Sequence, residues 1–116
     1  MKDEKFKVID FIRKFILEVD KQLDNFPKKD IELKNRIRTA SYDLLEISYM
    51  ANSMEDKSYK KELLYKAIAK IKIIDFLINM SYDKKIITEK KYFKLGLRLN
   101  DIAKYTSGWL KTIIEK

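Results

Sequence analysis

The chain is 116 residues long and has no cysteine, no histidine, two glycines, one proline and a formal net charge of +8. Without cysteine or histidine there is no disulfide framework, no thiolate chemistry and none of the usual ligands for zinc and most transition metals, nor the Glu-x-x-His pairs of di-iron carboxylate bundles. So few turn-forming residues in a chain that is 46% hydrophobic exclude a sandwich or barrel and leave an all-α fold.

A chain of this length suffices for one domain over residues 1–116, since a chain of this size hides roughly two thirds of the surface it exposes unfolded. No apolar run reaches the ~18 residues of a membrane span, and the N-terminal MKDEKFKVID is too rich in acids for a secretory signal. The expected location is the cytoplasm, with no membrane partner.

The first segment, residues 4 to 26, places Val8, Ile12, Phe15, Val19, Leu23 and Phe26 at steps of three or four, which is one face of a helix. Pro27 ends it by disfavouring helical geometry in the residue before it. Asp30, after the loop Pro27-Lys28-Lys29, is placed to cap the second helix. There Leu33, Ile37, Ala40, Leu44, Ile47, Ala51 and Met54 form an unbroken heptad seam, which predicts the shallow packing angle of helical bundles.

NSMEDKS (residues 52–58) interrupts that seam, and Asp56 or Ser58 is positioned to cap a third helix. In it Leu64, Ala67, Ile71, Ile74 and Ile78 keep the rhythm, while Leu63, Ile68, Ile73, Phe76, Leu77 and Met80 widen the apolar stripe. A helix apolar over so much of its girth is expected to be covered on more than one side. MSYDKK (residues 80–85) reads as the next turn and Thr88 as the cap of a fourth helix. Its seam is Tyr92, Leu95, Leu99, Ile102, Thr106, Trp109 and Ile113. Four helices on short loops predict an antiparallel up-down-up-down four-helix bundle.

Trp109, the only tryptophan, falls on this seam as a core aromatic. Gly108 lies just beside it, where the missing side chain costs about 1 kcal/mol of helix propensity against alanine but admits a close backbone. That backbone belongs either to this chain or to a neighbouring subunit.

Several stretches resemble the Avd family, the accessory variability determinants of diversity-generating retroelements. They are Phe26-Pro27-Lys28, Ala51, Leu64 with Ala67, IITEKKY (residues 86–92) and LNDIAKYTSGWLK (residues 99–111), the last being the most specific. The four-helix proteins encoded by ribosomal-RNA intervening sequences are more distantly similar. The resemblance implies a four-helix subunit assembled into a homopentamer, binding nucleic acid through basic surface and associating with a reverse transcriptase and its template RNA. Tyr105 and Thr106 depart from the family's pattern, and the first 25 residues match it only in hydrophobic rhythm.

The charge is unevenly spread: residues 1–56 carry a net −1, residues 57–83 a net +3 and residues 84–116 a net +6. On the fourth helix Lys90, Lys94 and Arg98 recur every four residues, with Lys91 beside them and Lys84 and Lys85 just before. Lys66 and Lys70 form a shorter column on the third helix. Such columns can follow a phosphate backbone and release its counterions, and joined they would make one electropositive surface for RNA or DNA. A charge run read alone is more often a solvated face. Lysine predominates, 22 against four arginines, which favours binding without base preference.

Arg36 and Arg38 are expected to pair with acids three or four residues away on their own helix. The tyrosines show no stacking platform. Nothing suggests catalysis: there is no histidine base, cysteine nucleophile or phosphate-binding glycine loop, and no cofactor or metal is implied. Paired carboxylates such as Asp20 with Asp24, or Asp43 with Glu46, read as ion-pair partners. Ile73, Phe76, Met80 and Gly108 are the expected subunit interface. The competing reading is a structural module whose basic face docks an acidic protein.

Overall fold

The computed structural model describes residues 2–115, with side chains from Lys7 onward. Four helices make up the fold: α1 (Lys2–Leu23), α2 (Ile31–Ser53), α3 (Lys57–Asp83) and α4 (Glu89–Ile114), with a short 3-10 turn at Lys28–Asp30 leading into α2. At 1.5 Å per residue the 27 residues of α3 run about 40 Å, most of the 46 Å length of a molecule only 23 × 19 Å across. The helices therefore lie side by side along one axis.

Each helix packs against two others, α1 and α3 both against α2 and α4, with no backbone approach across either diagonal among the described residues. All four stripes meet in one core. Ile12, Phe15, Ile37, Leu44, Leu64, Ile74, Leu95 and Ile102 are fully buried there, and Ala40, Ala51 and Ala67 let neighbouring backbones draw close. The heptad positions at the ends of the seams, Phe26, Leu33, Met54, Tyr92 and Ile113, are only partly buried because they stand where the core thins.

Serines replace apolar residues at three buried positions without leaving a hydroxyl unpaired. Ser41, Ser48 and Ser81 each donate to the carbonyl four residues back, at 2.8, 2.9 and 2.9 Å. Trp109 is 3% exposed and closes the core at the far end of α4, as its seam position predicts. Tyr105, one turn earlier, is half-buried against the Phe11 ring, with the Lys7 and Lys104 ammonium groups 5.1 and 5.6 Å from its centroid.

The helix ends correct the sequence reading in detail. α1 stops at Leu23, three residues early, because Asn25 and Phe26 donate to the carbonyls of Gln22 and Leu23 in a tight turn before Pro27. Asp56 rather than Ser58 caps α3, its Oδ1 accepting from the Tyr59 N–H at 3.1 Å, and Thr88 caps α4 through the Lys91 N–H at 3.2 Å. Asp30 makes no cap bond; its carboxylate is turned to another partner.

MSYDKK is helical through Asp83, so the turn comes later than its composition suggests. α3 then ends in a Schellman motif, in which the Lys85 N–H donates to the Tyr82 carbonyl at 2.8 Å and the Ile86 N–H to the Ser81 carbonyl at 2.9 Å. Lys85 occupies the left-handed position of that motif at φ 63°, where glycine is usual.

Two outcomes follow from this packing. Trp109→Ala is expected to cost about 3–5 kcal/mol, read from the urea midpoint by circular dichroism. Lys85→Gly is expected to stabilise by about 0.5–1 kcal/mol by relieving the left-handed backbone, and an unchanged or lower midpoint would contradict that.

Candidate nucleic-acid interface

The two lysine columns do not form one surface. On α3, Lys66 and Lys70 line the groove toward α2 together with Ile47, Ala69 and Ile73, and Lys70 Nζ lies 3.6 Å from the Asp43 carboxylate of α2. On α4 the column leans the other way, toward α1. Lys94 Nζ and an Arg98 terminal nitrogen lie 3.4 and 3.7 Å from the two carboxylate oxygens of Glu18. The expected joining of the columns is thus corrected: α3 and α4 are adjacent, but these residues point away from the seam between them.

Pairing divides the cations further. Glu18, only 15% exposed, holds both Lys94 and Arg98, and the buried Nε of Arg98 has no hydrogen-bond partner among the described residues. Lys84 Nζ is 2.9 Å from Asp30 Oδ1, whose side chain is 7% exposed. This bond explains the missing cap: Asp30 faces inward to the end of α3 instead of back along its own helix. Arg38 likewise pairs across helices, 3.6 Å from Asp20 of α1, rather than with an acid of α2. Arg36 faces the α2–α3 groove.

Lys85, Lys90, Lys91 and Lys66 are exposed and form no ion pair among the described residues. Sequence reasoning missed Lys28 and Lys29, which are also exposed and are drawn to the α3–α4 turn by the Asp30–Lys84 bond. Their signal lay in Pro27-Lys28-Lys29-Asp30 read as a unit, but a carboxylate reaching 54 residues along the chain leaves no mark in local spacing.

A second junction fixes the start of α4 against the end of α3. The Tyr82 and Tyr92 rings stack at 4.3 Å with planes 7° apart, and the Tyr92 hydroxyl donates to Asn79 Oδ1, whose amide donates in turn to Asp75.

Of the expected interface residues, Ile73 and Phe76 are 52% and 58% exposed, and they line a groove of about 250 Å³ between α2 and α3. Met80 and Gly108 are half-buried. The seam analysis missed Phe93 and Leu97, exposed on α4 beside a shallow groove with Gly96 and Asp75. No cluster of three or more acidic side chains able to hold a metal ion occurs among the described residues, and no described helix is long and apolar enough to cross a membrane.

The sequence model of the bAvd-like family matches residues 4–113, from the first turn of α1 to the last turn of α4. The chain belongs to the bAvd-like family. No curated protein and no solved structure matches it. The bAvd-like match spans all four helices, and the family is one of accessory proteins.

In this bAvd-like chain the Asp30–Lys84 bond is expected to carry stability. Lys84→Gln should cost about 1–3 kcal/mol by leaving the buried Asp30 carboxylate without its cation, and Asp30→Ala less because the freed Lys84 ammonium is half exposed. Thermal unfolding of the two variants checks this, and equal, negligible losses would remove the bond from the fold's supports.

Proposed function

We propose that this protein is a non-enzymatic, homo-oligomeric accessory subunit that binds RNA or DNA electrostatically and partners a reverse transcriptase and its template RNA in the cytoplasm. Membership of the bAvd-like family over residues 4–113 is the observation that carries this reading. The basic second half of the chain supports it, as does the absence of any histidine or cysteine with which to build common catalytic sites.

The subunit is one domain, an antiparallel up-down-up-down bundle. Asp30 at the start of α2 bonded to Lys84 at the end of α3, and Glu18 late in α1 bonded to Lys94 early in α4, suit that arrangement. Its basic surface begins at the α3–α4 turn with Lys84 and Lys85 and continues along α4 through Lys90, Lys91, Lys94 and Arg98, with Lys66 and Lys70 on a separate face. Copies associate through Ile73 and Phe76, with Met80 and Gly108 at the margins, into the pentamer that the family resemblance implies.

Light scattering of the purified protein should give a multiple of 13.9 kDa that takes up structured RNA at low salt and releases it at moderate salt. A stable monomer at micromolar concentration would refute the assembly, and an oligomer indifferent to RNA would refute nucleic-acid binding and favour an acidic protein partner. The doubly substituted Ile73→Glu, Phe76→Glu protein should become monomeric with unchanged helicity, because both side chains are exposed in the single chain.

A further inference from the structure

The cations of this protein fall into two groups that sequence spacing cannot separate. Lys84, Lys94 and Arg98 are bound to carboxylates of other helices, Asp30 and Glu18, which are themselves 7% and 15% exposed. Turning Lys84, or Lys94 and Arg98 together, toward a phosphate would strand a largely buried carboxylate, which disfavours the exchange. Lys28, Lys29, Lys85, Lys90 and Lys91 are exposed and carry no such commitment among the described residues.

These five stand at the same end of the 46 Å axis. The Asp30–Lys84 bond holds the 3-10 turn of Lys28 and Lys29 against the end of α3, and the Tyr82–Tyr92 stack holds the first turn of α4 there too. Lys85 lies between them, with its charge mounted on left-handed backbone that glycine would adopt at lower cost. The starts of α2 and α4 converge on this end, and their unpaired N–H groups add positive potential.

Exposed acids are present as well, at Asp24, Glu32, Asp83 and Glu89, but they are fewer than the lysines around them. The α2–α3 connection at the other end is balanced, with Glu55, Asp56 and Glu62 against Lys57, Lys60 and Lys61.

Building on the nucleic-acid reading above, we propose that this end is the phosphate-binding site. Lys28, Lys29, Lys85, Lys90 and Lys91 contact the phosphodiester backbone of a nucleic acid end-on, while Lys84, Lys94 and Arg98 are positioning residues. Five lysine contacts give a shallow salt dependence, a log–log slope of about −3.5 for a single strand at roughly 0.7 per phosphate, with little base preference.

The test is anisotropy of a labelled 20-nucleotide single strand over a salt series. It compares the natural protein with K28Q/K29Q/K85Q and with a control of equal charge, K57Q/K61Q/K72Q, all checked for helicity. The end variant is expected to lose at least about tenfold in affinity at fixed low salt and to have a slope shallower by about 2. The control should stay within about twofold of the natural protein, as binding through one localised set of phosphate contacts requires.

Equal losses in both variants would overturn the end-on site and leave binding by overall charge. An unaffected end variant would overturn it outright. No binding by the natural protein would overturn the nucleic-acid reading itself, and retention on anionic vesicles but not on the strand would point to a membrane surface instead.

Discussion

The structure depends on one geometric constraint: four long helices share a core in a molecule only 23 × 19 Å across. A core that thin is filled by one stripe from each helix, and every stripe must serve two neighbours at once. Large side chains such as Phe15, Leu44, Ile74 and Ile102 supply most of the apolar burial, while Ala40, Ala51, Ala67 and the back-bonded serines keep the backbones near enough for those side chains to meet. Trp109 fills one end of the same core.

The ion pairs obey a second rule imposed by the first. Since the interior has no room for charge, acids at the edges of the stripes meet cations of the adjacent helix: Asp20 with Arg38, Asp43 with Lys70, Glu18 with Lys94 and Arg98, and Asp30 with Lys84. Pairs that are mostly exposed add little stability, so their main effect is to fix which helix faces lie opposite each other. They also sort the basic residues. A lysine bound to an inward-facing carboxylate is a structural element, and one with no acid in reach remains available to a polyanion.

Apolar surface is sorted in a similar way. α3 has more of it than one core can take, and the remainder, Ile73 and Phe76, stays outside over a groove shared with α2. α4 adds Phe93 and Leu97 on its side facing α3. Two exposed apolar faces on different grooves suit head-to-tail association, the kind of contact that closes into a ring when its rotation permits. Basic end and apolar flanks therefore occupy different parts of the surface and need not compete.

Much of the fold was legible in the chain because helical periodicity is a local property. Val8 to Leu23, Leu64 to Ile78 and Leu95 to Trp109 declare their buried faces by spacing alone, and Asp56 and Thr88 declare two helix starts by side-chain chemistry. The family was legible too, in the stretch around Gly108 and Trp109. Tertiary structure alone decided the partners of the charges. Asp30 looks like a cap and is a long-range ion-pair partner; Arg38 looks tied to α2 and reaches α1; Lys84 and Lys85 are neighbours in sequence, one held by a carboxylate and the other in no ion pair among the described residues. Periodicity fixes which way a residue faces on its own helix, but which acid waits there depends on how the helices are set against each other, and that is settled only when all four stripes are buried together.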